Sequence, residues 1–363
     1  MIWFLCSFLS AAVLTLFVVR SSRRHARFSH DHDLSGPQKF HARPVPRIGG
    51  LGVLGGLLVV ALGMAWRGSE HARFAALLLA CGLPAFLAGT IEDLTKRVSP
   101  RRRLLATAVS ALLALVLLDA TITRTDLWGL DWIAAFPLGA GFLAVFTVAG
   151  IANAVNIIDG FNGLASMCVL MMLLAITYVA YQVGDSGIVM LGLIGAGAVL
   201  GFFVWNYPAG LIFLGDGGAY FLGFYLAELG ILLVHRNPTV SPLFPLLLAI
   251  YPVFETLFSM YRRKMVRGRS VGMPDGVHLH SLVYRRLLRW AVGSQDAKLL
   301  TRRNSMTAPY LWLLCMLAVG PALIFWDDSR ILGGLIVLFA LSYVSLYGMI
   351  VRFKAPRWLV LRR

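Results

Sequence analysis

Eleven apolar runs, each long enough to cross a lipid bilayer, divide this chain: 1–20, 49–66, 74–91, 104–122, 132–152, 164–183, 188–206, 218–234, 242–261, 308–326 and 331–351. About 17–25 consecutive apolar residues suffice for a spanning helix. Inside lipid every backbone N–H and C=O must find its partner within the segment or in a closed barrel. Runs of this length satisfy that as helices; a barrel would show short alternating strands instead. The composition agrees, with 58% hydrophobic residues, 14% charged residues and a mean hydropathy of +0.76, which exclude a soluble α/β domain. The sequence therefore predicts an all-α, polytopic integral membrane bundle, one domain over residues 1–363. The first run has no basic start and no A-x-A exit, so it reads as a helix rather than a cleaved leader.

Charge orients the bundle. Alternating the connections places 28 of the 33 Lys and Arg residues on one side, in 20–48, 92–103, 262–307 and the tail 352–363. Only Arg67, Arg73, Arg124, Arg236 and Arg330 fall on the other. Basic loops stay in the cytoplasm; the N-terminus is then expected outside and the C-terminus inside. The formal charge of +16 thus reports topology, and no nucleic-acid partner is indicated. Cys6, Cys81, Cys168 and Cys315 all sit in apolar runs with no CxxC or Cys/His spacing, which argues for packing rather than a disulfide frame or zinc site. Gly192, Gly195, Gly197 and Gly201 read as close helix–helix packing.

Helix counting also places two loops without any basic residue, 153–163 and 207–217, on the cytoplasmic side. Asn153-Ala-Val-Asn156-Ile-Ile-Asp159-Gly-Phe-Asn162-Gly163 repeats amides and a carboxylate every third residue, so on a helix they share one arc. A carboxylate at a bilayer's edge is costly, which argues for one wall of a site rather than packing; a helix end capped by Asn and Asp and turned by glycines is the plainer alternative. Gly89-Thr-Ile-Glu92-Asp93-Leu-Thr-Lys96 puts adjacent carboxylates before a basic run ending at Arg101, Arg102 and Arg103, a pattern suited to a divalent metal or to base and positioning roles, or to a solvated charged loop. Trp205-Asn206-Tyr-Pro-Ala leads into Phe213-Leu-Gly215-Asp216-Gly-Gly218, where glycines let backbone approach a ligand; no Gly-Lys-Ser/Thr follows, so it is not a Walker A loop. In the longest loop, Arg267-Gly-Arg269-Ser precedes Pro274-Asp-Gly-Val-His278-Leu-His280-Ser281, then Arg285, Arg286 and Arg289. Guanidinium groups with His-x-His suit a diphosphate and make a poor zinc site. Together these constellations suit Mg²⁺-assisted chemistry on a phosphorylated cytoplasmic substrate with a partner held in lipid.

From His41 to about Arg286 the chain resembles the polyprenyl-phosphate N-acetylhexosamine-1-phosphate transferases, which include GlcNAc-1-phosphate transferases and the phospho-MurNAc-pentapeptide translocase. His41-Ala-Arg-Pro-Val-Pro-Arg47-Ile-Gly-Gly50 resembles H-x-x-P-x-P-R-x-G-G, and Glu92-Asp93 stands at the DD pair. Asn153 to Ala165 resembles N-x-x-N-x-x-D-G-x-D-G-L-A, Trp205 to Gly218 resembles W-N-x-x-P-A-x-x-F-x-G-D-x-G, and Pro274 to Leu282 resembles P-D-x-x-H-x-H-H-L.

The resemblance implies transfer of a sugar-1-phosphate from a UDP-N-acetylhexosamine to undecaprenyl phosphate at the cytoplasmic face of a bacterial inner membrane, releasing UMP and starting a cell-surface glycan. It implies Mg²⁺, with Mn²⁺ able to substitute, and allows a homodimer. By analogy Asp216 ligates the metal, with Asn156 and Asp159 near it. Glu92 matches the base acting on the lipid phosphate. Asp93, Asn206 and Phe213 help hold the uridine side, and His278, His280 and Arg269 the diphosphate and sugar. His41, Arg47, Lys96, Arg103, Asn153, Asn162 and Gly215 complete the expected substrate contacts. Glu92 and Asn162 each replace a usual Asp, Ser281 replaces a His, and Arg101–Arg103 stand where Lys is usual. The H-x-H pattern is nearer the GlcNAc-type branch. Three other classes stand as alternatives. A polyprenyl-lipid flippase would need polar groups at mid-membrane depth rather than at helix ends. A CDP-alcohol phosphotransferase would need a D-x-x-D-G-x-x-A-R pattern absent around Asp159. A non-catalytic lipid-binding relative is suggested by the changes at 92, 162 and 281.

Overall fold

The computed structural model describes residues 1–29, 44–266, 268, 275–288, 292, 294, 296–356 and 359–361. Among these residues it is helical, without a named strand, and its helices in chain order are α1 (Ile2–Arg20), α2 (Ser22–Ser29), α3 (Gly50–Trp66), α4 (Ala72–Thr95), α5 (Pro100–Leu118), α6 (Leu130–Ala134), α7 (Pro137–Ile158), α8 (Leu164–Gln182), α9 (Ser186–Asn206), α10 (Gly215–Arg236), α11 (Leu243–Leu248), α12 (Ile250–Tyr261), α13 (Leu279–Leu282), α14 (Ala297–Ser305), α15 (Ala308–Ile324) and α16 (Ser329–Val351). Eight helical stretches among the described residues, with α14 and α15 counted as one, are long and apolar enough to cross a membrane. The chain is a multi-pass helical membrane protein. The other three apolar runs differ for physical reasons: α3 is only 17 residues long, α5 opens on Arg101, Arg102 and Arg103, and the run 242–261 is divided between α11 and α12 at Ala249.

Local sequence sets the helix ends. Ser99 accepts from Arg102 N, and Pro100 takes the first position of α5, where its missing N–H costs nothing. Pro137 forces Phe136 into extended backbone, so the apolar run 132–152 breaks there and α7 begins at the proline. At its other end α7 continues through Asn153 and Asn156 to Ile158, and α4 continues through Glu92 and Asp93 to a left-handed Lys96. Both polar pairs were expected in loops; they lie instead on the last turns of long helices, which fixes their direction.

The middle of the bundle is α10, buried continuously from Gly215 to Leu233. A helix apolar on all sides belongs at a centre, and α4, α7, α8 and α3 surround it. Close approach is built from glycine. A Cβ on Gly89 would lie 2.5 Å from Gly217 N, so α4 and α10 meet backbone to backbone beside Asp216. The glycines of α9 serve the same purpose: a Cβ on Gly197 would lie 2.6 Å from Phe4 O, and one on Gly201 2.5 Å from Phe8 O, which seats α1 against α9.

Candidate active site

Asp216 occupies the first turn of α10 and is 8% exposed. A helix start favours an anion, and three further groups converge on this one. Arg47 Nη2 donates to its Oδ1 at 3.2 Å, Asn156 Nδ2 donates to the same oxygen at 3.1 Å, and the Arg103 guanidinium pairs with Oδ2. Arg103 also lies 5.6 Å from the centre of the Tyr220 ring, and the Tyr220 hydroxyl donates to Asn153 Oδ1 at 3.2 Å.

Asp93, buried at 3% exposure, joins the cluster from α4. Its Oδ2 accepts Gly217 N at 3.0 Å, Arg47 Nε stands 3.5 Å from its Oδ1, and that Oδ1 lacks a hydrogen-bond partner among the described residues. Lys96 lies close enough for its charge to act on Asp93. Asp159 caps α7 and is half-buried. Desolvation by the surrounding protein pushes its carboxyl up to about 7, opposed by the Arg47 charge. Glu92 is tied to the turn that follows it: its Oε2 accepts Val98 N at 2.6 Å, and Oε1 makes no hydrogen bond among the described residues.

Backbone pairing holds the turn before α10. Gly49 N donates to Phe213 O at 2.9 Å, Gly50 N to Leu214 O at 2.9 Å, and Phe213 N to Pro46 O at 2.8 Å. Gly215 turns with φ +77°, and its Cα passes so near Arg47 that only glycine fits. Asn206, expected at the substrate, braces loops instead: its Oδ1 accepts Gly163 N at 2.6 Å and its Nδ2 donates to Ile212 O at 2.7 Å. Asn162 is 4% exposed and donates from Nδ2 to Ser305 Oγ at 3.1 Å. Next to these loops is a cavity of about 890 Å³, lined by Pro44, Val45, Pro46, Asn162, Tyr207, Phe213 and α14.

The His-x-His segment is buried. His278 Nδ1 lies 2.9 Å from Glu255 Oε1, and the His278 and His280 rings stack at 5.1 Å. Glu255 also accepts Leu279 N at 3.2 Å and the Tyr343 hydroxyl at 2.7 Å. The sequence reading does not single out this carboxylate, which lies within the apolar run 242–261; a lone Glu inside such a run is its local signal. His280 is 3% exposed, packs edge-on to Phe161, and its Nδ1 has no partner among the described residues. Burial, aided by the neighbouring His278, lowers its pKa to about 3. A neutral His280 can offer hydrogen bonds but not the charge expected of a diphosphate clamp. Because the unfolded side chain titrates near 6.5 and the folded one near 3, the folded state loses stability as pH falls through that window. Between pH 7 and pH 5 the wild type is expected to lose about 2 kcal/mol more than His280→Asn. Thermal unfolding at the two pH values checks this; equal losses would contradict it. His41 and Arg269 lie outside the described residues.

No three His, Cys, Asp or Glu side chains gather at ligand spacing among the described residues. The oxygen donors nevertheless fit Mg²⁺. That ion usually takes one or two carboxylates and completes its shell with waters and substrate phosphates. Asp216, with the orphaned Oδ1 of Asp93 in the same cluster, offers that kind of partial, hard-oxygen site.

Residues 75–234 match the profile of glycosyl transferase family 4. The chain is 28% identical over 283 residues to a probable undecaprenyl-phosphate N-acetylglucosaminyl 1-phosphate transferase of Bacillus subtilis (strain 168), covering 76% of this chain and 75% of that one. It is 27% identical over 279 residues to the undecaprenyl-phosphate alpha-N-acetylglucosaminyl 1-phosphate transferase of Thermotoga maritima, covering 77% and 81%. A shorter match, 35% over 152 residues, covers 40% of this chain and 45% of a phospho-N-acetylmuramoyl-pentapeptide-transferase of Streptococcus pneumoniae. The stretch that matches glycosyl transferase family 4 contains Asp93, Asn156, Asp159 and Asp216, and the matches to the two N-acetylglucosaminyl 1-phosphate transferases extend over about three quarters of the chain.

Proposed function

We propose that this protein transfers a sugar-1-phosphate from a UDP-N-acetylhexosamine to undecaprenyl phosphate, releasing UMP and leaving the sugar on a polyprenyl diphosphate. The observation that carries this reading is the convergence of Arg47, Arg103 and Asn156 on Asp216 beside Asp93, taken with the names of two relatives that match over about three quarters of the chain. The active site is assigned to the cytoplasmic face of a bacterial inner membrane, in a bundle of eleven spans with its N-terminus outside. The 28 basic residues on one side support that orientation.

Chemically, an oxygen of the lipid phosphate attacks the phosphorus that carries the sugar. The bond from that phosphorus to the bridging oxygen breaks, and the electron pair leaves with UMP. Two anions must approach each other, so the main task is to neutralise charge and hold both reactants in line. Arg47 and Arg103 supply guanidinium donors for the phosphate oxygens, and Asn156 and Asp159 bracket the same space from the end of α7. Glu92, with Oε1 uncommitted, is assigned to accept the lipid phosphate's remaining proton. Asp216, with Asp159 and Asn156 nearby, would hold Mg²⁺, which supplies charge neutralisation and polarisation at the transferred phosphoryl group. The cavity beside Phe213 and Asn162 is assigned to the nucleoside.

The purified protein in detergent, given undecaprenyl phosphate, Mg²⁺ and a panel of UDP-N-acetylhexosamines, is expected to release UMP with at least one of them and to form a matching lipid product. No UMP with any donor, while the protein remains folded, would refute the reading.

A further inference from the structure

The short helix α14 carries Lys298 and Arg302 on an exposed face, as a cytoplasmic anchor would. Its other face does something an anchor does not need. Arg303, Asn304 and Ser305 are buried, at 6%, 3% and 3% exposure, and buried polar groups persist only when partners satisfy them. Each reaches a different segment. Asn304 Oδ1 accepts Asn162 N at 2.9 Å. Ser305 Oγ accepts Asn162 Nδ2 at 3.1 Å and donates to Pro208 O. Arg303 donates to Leu288 O at 2.7 Å and to Tyr284 O at 2.8 Å, with its guanidinium 4.1 Å from the centre of the Tyr284 ring.

Those three segments carry Asp159, the turn toward Asp216, and His280 of α13. Tyr284 in turn lies against Phe161, which touches His280, so the contacts form a closed circuit. The segment 159–163 is fixed from the other side as well: Trp312 Nε1 donates to Gly163 O at 3.1 Å and Asn206 accepts Gly163 N. Asn304 and Ser305 also line the 890 Å³ cavity.

We propose that Arg303, Asn304 and Ser305 are positioning residues that lock the three cytoplasmic segments into one register, Asn304 and Ser305 also forming part of the wall of the donor cavity. Asn304 is the central member, because it alone holds the Asn162 backbone, three residues beyond Asp159. The proposal rests on the transferase reading above, and its test separates the two. Asn304→Leu removes the acceptor at nearly constant volume; Asn304→Asp restores it. In the full-length protein, Asn304→Leu is expected to raise KM for the UDP-sugar about tenfold, with a smaller change in KM for undecaprenyl phosphate, and Asn304→Asp to recover most of the loss. Hydrogen exchange over 158–164, read by mass spectrometry, needs no turnover: exchange should quicken about tenfold in Asn304→Leu and stay near wild type in Asn304→Asp. If wild type releases no UMP, the transferase reading fails, and the exchange result alone decides the brace. Equal exchange in wild type and Asn304→Leu overturns it. So does a wild-type KM in Asn304→Leu, or a defect that Asn304→Asp shares in full.

Discussion

Asp216→Asn is expected to lower UMP release by about 10³-fold while the protein stays folded. The amide fits the space of the carboxylate, so packing around the start of α10 is retained. What it removes is the charge on which Arg47, Arg103 and Asn156 converge. Two guanidinium groups would then face a neutral side chain, and the hard-oxygen site suited to Mg²⁺ would lose its principal anion. Leaving charges in a low-dielectric setting without their counter-charge is strongly unfavourable. UMP release by the purified variant, with a thermal midpoint to confirm folding, checks the expectation. Activity within tenfold of wild type would remove Asp216 from the centre of the site.

Gly215→Ala should be nearly as damaging, by a different route. A Cβ at this position would lie 2.0 Å from Arg47 O and 2.6 Å from Asp93 Oδ2. The first neighbour is backbone and cannot rotate away. The segment 44–50 would have to separate from 213–217, taking Arg47 and Asp93 off Asp216. The positive φ adds about 1–2 kcal/mol for any side chain. We expect at least about a hundredfold loss of turnover, since misplacing reacting groups by an ångström costs that much. Gly68 provides the control: its φ is +64°, yet nothing lies within 4 Å of a Cβ there. Gly68→Ala should carry only the backbone strain and keep its activity. If both variants keep turnover, the close approach at Gly215 is not what positions the cluster.

Much of this arrangement was legible in the sequence because hydropathy reports burial in lipid directly. Each apolar run contains a helix, and the residues at Asp93, Asn156 and Asp216 do converge. The boundaries were less legible. Hydropathy falls at Glu92 and Asn153, yet helical hydrogen bonding continues to Thr95 and Ile158. A polar side chain ends an apolar run but not a helix; the left-handed turn at Lys96 ends α4. The break between α11 and α12 left no mark in hydropathy, because both halves are apolar; Pro252, which cannot donate a hydrogen bond back to Leu248, is its one local signal. Two buried polar elements were hidden by their context. Glu255 lies inside an apolar run, and Arg303, Asn304 and Ser305 follow basic residues that looked like topological charge. Their partners, backbone and side chain alike, are distant in sequence, which no local pattern records. Asn206 shows the converse: its motif was readable, but its side chain holds Gly163 and Ile212 rather than facing the carboxylates.

The central claim is that the cluster at Asp216 moves a phosphoryl group together with its sugar, not the sugar alone. A UDP-N-acetylhexosamine labelled with ³²P only at the sugar-linked phosphorus decides between them. The account predicts that the label passes to the undecaprenyl lipid while the released nucleotide is unlabelled UMP. Labelled UDP, with an unlabelled lipid product, would contradict it.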